Sequence, residues 1–348
     1  MSIFSSPAKR FLSSLVLFFL MFILTPATAQ EEHQTTGNHG PEKSSKAFNP
    51  SETILHHVMD DHVWHLWDHG GTIYLPVIVY SSERGLEMFS SRNFYNEHHE
   101  AVAYNGYTLD HGHILLDGKA VLDLSITKNV AMLLINATIL LLVFVAVAKG
   151  YKNNHGKAPR GIQSFMEPVI VFIRDEIVKP NIGHHYERFL PYMLTLFFFI
   201  LFGNLLGLLP GAGNLTGNIA VTLTLAVFTF IITNVKGNKA YWSHILWTPG
   251  VPLPLRLVIL PVEIIGIFTK PLSLTIRLFV AITAGHIVLL ALLSLAFIIQ
   301  SVTVGFVSSI IVVFISLIEL LVAGIQAYVF TLFSSLYIGM ATAEHEPH

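Results

Sequence analysis

Apolar and polar positions along this chain fall into blocks. Val130 to Ala148 is uncharged, predominantly apolar sequence ending at Lys149, long enough to cross a hydrocarbon layer of about 30 Å as one helix. From Phe189 to Val235 there is no Asp, Glu, Lys, Arg or His. That stretch predicts two further spans, Phe189–Leu209 and Asn218–Val235, joined by the turn sequence PGAGNLTG. Leu257 to Ala343 is again nearly continuous, broken at Gln300 and Ser301. Each half would extend roughly 60 Å as a helix, about twice the bilayer core. With no charged turn inside either half apart from Lys270-Pro271, two steeply tilted helices are expected rather than four short ones. The pattern predicts five spans, at about 130–148, 189–209, 218–235, 258–300 and 302–340.

Between the first two spans, IQSFMEPVIVFIRDEIVKP mixes apolar residues with scattered charge and reads as an interfacial helix over about 162–179, stopped by Lys179-Pro180. The preceding loop carries Lys149, Lys152, Lys157 and Arg160, and the loop after the third span carries Lys236, Lys239 and Arg256. Both are assigned to the cytoplasm by the positive-inside rule, as is the interfacial helix, and PGAGNLTG to the other side. Five spans then leave the C-terminus cytoplasmic.

Residues 1–29 have the parts of a secretory signal: Lys9 and Arg10, the apolar core Leu12 to Leu24, and Ala27-Thr28-Ala29 as the cleavage site. A mature N-terminus at Gln30 is expected, an uncleaved anchor helix being the alternative. Residues 30–51 read as a disordered exported segment. Residues 52–125 read as a small exported His-rich domain containing β-structure, with strands in TIYLPVIVY, GHILLDG and AVLDLSI. The membrane domain follows over 126–348. The fold class is an all-α polytopic membrane protein bearing that small domain.

Composition narrows the function classes. Of 348 residues, 53% are hydrophobic and 12% charged, about half the charged fraction of a soluble protein. A net charge of -2 gives no reason to expect nucleic-acid binding. There is no Cys, so disulfides and thiolate metal sites are excluded. Of 18 His, 11 precede residue 125, several of them in HHVMDDHVWHLWDHG. Asp61, His65 and His69 at spacings of four make a helical metal site geometrically possible, with a His-rich solvated surface as the simpler reading. No metal site and no cofactor is assigned.

The informative residues are the exceptions to the apolar pattern. Glu263, Lys270, Arg277 and Glu319 are formal charges inside the last two stretches, and His286 adds a titratable group. Each charge at the bilayer centre costs about 2.5–3.5 kcal/mol on insertion scales, which favours a functional reading. Glu263, Lys270 and Arg277 are seven apart and form one helical stripe, drifting about 20° per step, that Ala284 and Ala291 continue. His286, nine residues after Arg277, falls on the opposite side. Glu319 and Gln326 share a face with Ala323 and Phe330. Structural alternatives are Glu263 and Lys270 as an interfacial pair or as snorkelling residues at the helix start, Arg277 as a cap for a buried acid, and a buried hydrogen-bonded His286–Glu319 pair.

KPLSLTIRLFVAITAGH and IELLVAGIQAYVFTLFSSLYIGMATAEH resemble the subunit a family of F-type ATP synthases, as do FGNLLGLLPG and TGNIAVTLTLAV, over roughly residues 125 to 345. The resemblance implies a non-catalytic membrane stator subunit forming two proton half-channels against a rotating c-ring in a bacterial inner membrane. Arg277 matches the family's essential arginine, which separates the channels, and Gln326 the glutamine facing it. Glu263, Lys270 and Asn218 match supporting polar positions. Many members carry an acid nine residues after the arginine and a His seven before the glutamine. Here His286 and Glu319 exchange those two groups, and Ala281 stands where an Asn is common. Implied partners are the c-ring, b-type peripheral stalk subunits, F1 indirectly, and lipid. A His-rich metal-cation transporter is the competing reading, and a haem-binding redox subunit a third; neither finds its ligand pairs within the spans.

Overall fold

A computed structural model describes residues 60–65, 71–96, 102–110, 112–153, 158–209, 212–246, 252–299 and 301–343. The expected signal sequence, the 30–51 segment, and His56, His57, His69, His98, His99 and His111 lie outside the described residues.

Short strands build the N-terminal unit: β1 Val63–His65, β2 Thr72–Tyr74, β3 Pro76–Ser81, β4 Gly85–Ser90, β5 Tyr107–Asp110, β6 His113–Leu116, β7 Lys119–Ala120 and β8 Leu122–Asp123. All pairings are antiparallel: β1 with β2, β3 between β4 and β8, and β6 between β5 and β7. TIYLPVIVY is two strands rather than one. Pro76 has no N–H for a ladder and opens β3 instead. Asp117-Gly118 and Asn105-Gly106 both have two consecutive positive φ angles, the geometry of tight hairpin turns. Val77, Val79, Phe94, Tyr107, Ile114 and Leu116 form the core of the unit.

This unit is fastened to the first membrane helix, α1 (Lys128–Asn153). Asp60 accepts hydrogen bonds from Thr127 Oγ1 at 2.8 Å and from the Asn129 N–H at 3.0 Å, satisfying a donor of the first turn. The Lys128 N–H donates to the Asp61 carbonyl. Burial raises the Asp60 pKa above the ordinary carboxylate value, although these hydrogen bonds and Lys128 oppose it. Beside it, the buried His62 donates from Nε2 to Asp123 at 2.9 Å. Burial also pushes the Asp123 carboxyl up, but hydrogen bonds from His62 and Ser125 outweigh that and leave its pKa below the ordinary value.

The remaining helices are α2 (Ile162–Phe172), α3 (Lys179–Ile182), α4 (Tyr186–Gly207), α5 (Ile219–Lys236), α6 (Lys239–Leu246), α7 (Leu253–Ile299) and α8 (Val302–Thr342). Among the described residues, five helical stretches are long and apolar enough to cross a membrane: 128–153, 162–207, 219–236, 254–295 and 303–342. The last two are single long helices.

One local expectation needs correction. Lys179-Pro180 does not stop the helix near 162–179: Pro180 sits in the first turn of α3, where a missing N–H is tolerated. A wider π-helical turn, Ile173–Val178, joins α2 to α3, and Gly183, at φ 73°, ends the run. This segment also packs inward, with Ile173, Ile177 and Val178 fully buried in the core that holds Leu196, Phe198, Leu225 and Phe330.

The C-terminal half of α8 is held from several sides. Asn181 donates to Ser335 Oγ, and the carbonyl of Asn181 lies so close to Gly339 that no Cβ would fit there. Asn238 donates its backbone N–H to the Ala341 carbonyl and its side-chain amide to that of Ala343. Ser334 and Tyr192 both lie within hydrogen-bond distance of Thr229 Oγ1, at 3.2 and 2.8 Å.

Candidate functional site

α7 ends at Ile299 and α8 begins at Val302, and the two run antiparallel, so the chain turns back between them. Two approaches fix their register. Near the turn, Gly285 of α7 meets Glu319 of α8, and farther along Arg277 meets Phe333.

The Arg277 guanidinium carbon lies 4.2 Å from the Phe333 ring centroid. One heptad earlier, Lys270 Nζ is 5.5 Å from the Tyr337 ring centroid. Phe333 and Tyr337 are four apart on α8, with centroids 6.1 Å apart, so one aromatic ledge faces two cations of the stripe. Cation–π attraction strengthens where water is excluded and contributes roughly 2 kcal/mol in desolvated sites. Among the described residues, no carboxylate is paired with Arg277. The chain orients this cation without neutralising it. The stripe beyond it stays open, since Ala284 and Ala291 are exposed.

Glu263 and Lys270 do not form the interfacial pair considered from spacing. They are two turns apart, about 10 Å along the axis. Glu263 instead lies 3.9 Å from His244 Nδ1 on α6, while Lys270 turns to Tyr337. Lys270 and Tyr337 also line a cavity of about 10 Å3 with Thr229, Thr233, Asn234 and Tyr241, at the lower limit for one water. Pro271 lines it too and has no N–H to give the Ile267 carbonyl, a further polar group at this wall.

On the turn side of Arg277, Glu319 is 8% exposed and its Oε1 has no hydrogen-bond partner. A Cβ built on Gly285 would sit 2.6 Å from that oxygen, so the carboxyl fills the space a larger residue would take. His286 is the next residue of α7, which puts the exchanged imidazole and acid at adjoining positions. An isolated buried carboxylate is costly, so this oxygen calls for a proton or for a donor beyond the described residues.

Gln326 lies on α8 midway between Glu319 and Phe333, level with Ala281 by the same register. No described hydrogen bond joins it to Arg277. Asn218 is the N-cap of α5: its side chain accepts from the Ala220 N–H at 2.9 Å, a role in the helix end.

One polar node was not singled out from sequence. Asn204 of α4 is buried, donates to the Ala323 carbonyl at 3.2 Å and accepts from Thr216 Oγ1 at 2.6 Å. It ties α8 to α4 between Glu319 and Gln326. An amide inside an apolar span is itself the signal that could have flagged it. Among the described residues, no group of three His, Asp or Glu is arranged to hold a metal ion.

A family model described as ATP synthase A chain matches residues 130–339, and one described as a domain of unknown function matches residues 53–130. Among similar proteins, ATP synthase subunit a 2 of Chlorobaculum tepidum is 49% identical over 235 residues, 65% of this chain and 66% of the relative. Subunit a of Chloroherpeton thalassium is 47% identical over 232 residues, 65% of this chain and 69% of the relative. Subunit a of Chlorobium phaeobacteroides is 39% identical over 323 residues, 91% of this chain and 80% of the relative. The chain thus spans about two thirds of the length of the first two relatives.

Proposed function

The chain belongs to the ATP synthase A chain family, and from that premise we propose that it is the non-catalytic stator subunit through which protons reach and leave a rotating c-ring. One observation carries the reading: Arg277 is held half-buried over Phe333 with no acid among the described residues paired to it. A rotor carboxyl that gives up its proton in hydrocarbon would be a lone anion. A permanent cation at that level stabilises it and draws the proton off an arriving carboxyl. The same charge repels hydronium and keeps the two sides of the path separate.

His286 and Glu319 then serve the half-channel on the turn side of Arg277, exchanging roles with the acid and imidazole of many relatives. Lys270, Glu263 and the polar groups around Tyr337 serve the other. Gln326 stands between the two, and Asn218 supports the α5 end. The driving force is about 2.3 kcal/mol per charge per 100 mV. In this reading α7 starts on the cytoplasmic side of a bacterial inner membrane, and the β-unit lies on the opposite side after removal of residues 1–29. The c-ring, peripheral stalk subunits and F1 complete the assembly. The relatives do not favour the metal-transporter alternative.

The test is Arg277→Ala in the assembled complex. ATP-driven acidification of inverted vesicles should be abolished while ATP hydrolysis by the catalytic sector persists. Full coupled pumping by this variant would sink the proposal.

A further inference from the structure

The outward face of the β4–β3–β8 sheet is apolar where an antiparallel sheet open to water would alternate to polar. Register sets its rows: Tyr80 lies between Leu86 and Leu122, and Ile78 opposite Met88. The Leu124 N–H donates to the Ile78 carbonyl and the Ile126 N–H to that of Pro76, which extends the column Leu122, Leu124, Ile126. Glu87, Asp123 and Ser125 alternate to the other face, and the polar Ser90, opposite Pro76, closes the outward face at the end of β4. Leu86 and Met88 are 61% and 67% exposed, and Tyr80, Leu122 and Leu124 each 49%. Soluble proteins seldom leave a contiguous apolar patch of this kind open.

Its position indicates what covers it. The column Leu122, Leu124, Ile126 runs straight into α1, which begins at Lys128. Four extended residues reach about 13 Å at most, so Leu124 stays close to the level where α1 leaves the membrane. Hydrogen bonds from Thr127, Lys128 and Asn129 to Asp60 and Asp61 allow no slack at that junction. The outward side chains Val130, Leu134 and Leu142 of α1 are exposed, so the bare apolar surface of the sheet continues into that of a membrane helix. The exposed pair Lys119–Glu83 lies away from α1, past the Tyr80 row.

We propose that this sheet face rests on the lipid surface, its leucine, methionine and isoleucine side chains reaching the acyl boundary and Tyr80 the headgroups. It rests on the reading that α1 crosses the membrane. The β-unit then fixes the depth of α1 and shields the bilayer edge beside it. Apolar burial of this kind holds monotopic elements in the interface plane, and tyrosine is enriched there.

Because the chain lacks cysteine, single labels can be placed in the full chain. Met88→Cys, Leu122→Cys, Lys119→Cys and Leu142→Cys would each carry a nitrobenzoxadiazole probe in vesicles of phosphatidylethanolamine and phosphatidylglycerol. Lipids brominated on the acyl chain should quench the probes at 88 and 122 at least half as strongly as at 142, and several-fold more than at 119. Aqueous iodide should rank them in reverse. Iodide quenching at 88 and 122 equal to that at 119, with 142 still quenched by lipid, would overturn the proposal. Protection from both quenchers would overturn it as well, in favour of a protein partner or a second copy of the chain. Loss of lipid quenching at 142 would overturn the reading of α1 as a span, and the proposal with it.

Discussion

Arg277 and Phe333 sit on different helices, and the ring lies 4.2 Å beneath the guanidinium carbon. An aromatic face orients a cation without neutralising it, whereas a carboxylate at the same place would compete with any rotor carboxyl. Phe333→Leu should therefore lower ATP-driven proton pumping several-fold without abolishing it, and Phe333→Trp should retain it, matching a cation–π contribution of about 1–2 kcal/mol. Acidification rates in inverted vesicles, normalised to assembled complex, decide this; a wild-type rate for Phe333→Leu removes the ledge from the mechanism.

Gly285 makes room for the Glu319 carboxyl. Gly285→Ala should displace that group or part the helices, at a cost of about 1–3 kcal/mol, and should lower pumping about tenfold. Adding Glu319→Asp, one methylene shorter, should restore part of the loss. If Gly285→Ala pumps normally, the close approach does not matter for transport.

Glu319 and His286 are expected to act as one group in one half-channel. Each alanine variant should lose part of the pumping rate, and the double variant should be no worse than the poorer single one. Independent, multiplicative losses would show that they act at separate steps. A wild-type rate in the double variant would dismiss the relay.

Asn204→Leu should leave Thr216 Oγ1 without its acceptor and the Ala323 carbonyl without its donor, costing about 1–3 kcal/mol. Heating the purified complex before native electrophoresis should release this variant at a lower temperature than the wild type. Unchanged release would mean that the node does not fasten α8.

The junction of the β-unit has two carboxyls whose pKa values are shifted in opposite directions. The Asp123 pKa is lowered, so its stabilisation is present above the unfolded value of about 3.9 and is lost as pH falls through the folded value. The Asp60 pKa is raised, so its contribution favours folding at low pH and fades as pH rises through the folded value. Hydrogen-exchange protection of a peptide covering 119–127, relative to the same peptide unstructured at each pH, should fall below about pH 4 in the wild type. Asp123→Asn should be less protected already at neutral pH and should lose that acid step. Asp60→Asn should flatten the slope above it.

Much of the membrane architecture was legible because hydrocarbon allows few solutions: an apolar run of sufficient length forms a helix. The unbroken character of α7 and α8 followed from the missing charged turn. What could not be read is whatever depends on one helix's register against another. Spacing placed Lys270 and Arg277 on a stripe, but only the position of α8 reveals that Phe333 and Tyr337 lie under them. Spacing likewise put His286 behind Arg277 without showing that Glu319 fits because residue 285 has no side chain. In the β-unit, TIYLPVIVY announced a strand, yet the apolar and aromatic residues that follow Thr72 without alternation conceal which side faces out. Pro180 misled because a proline that ends a helix and one that begins the next look alike in sequence.

The fastening of α8 is lopsided. From Ala323 to Ala343 it is bonded to α4, α5, α3 and the Asn238 turn, whereas Phe306, Val313, Phe314 and Leu317 stand uncovered on its other half. Mechanically it is a cantilever, with a built-in root and an arm that leans on α7. A lateral push on the arm bends it least at the root, where Arg277 rests on Phe333, so the charge keeps its height while the arm yields.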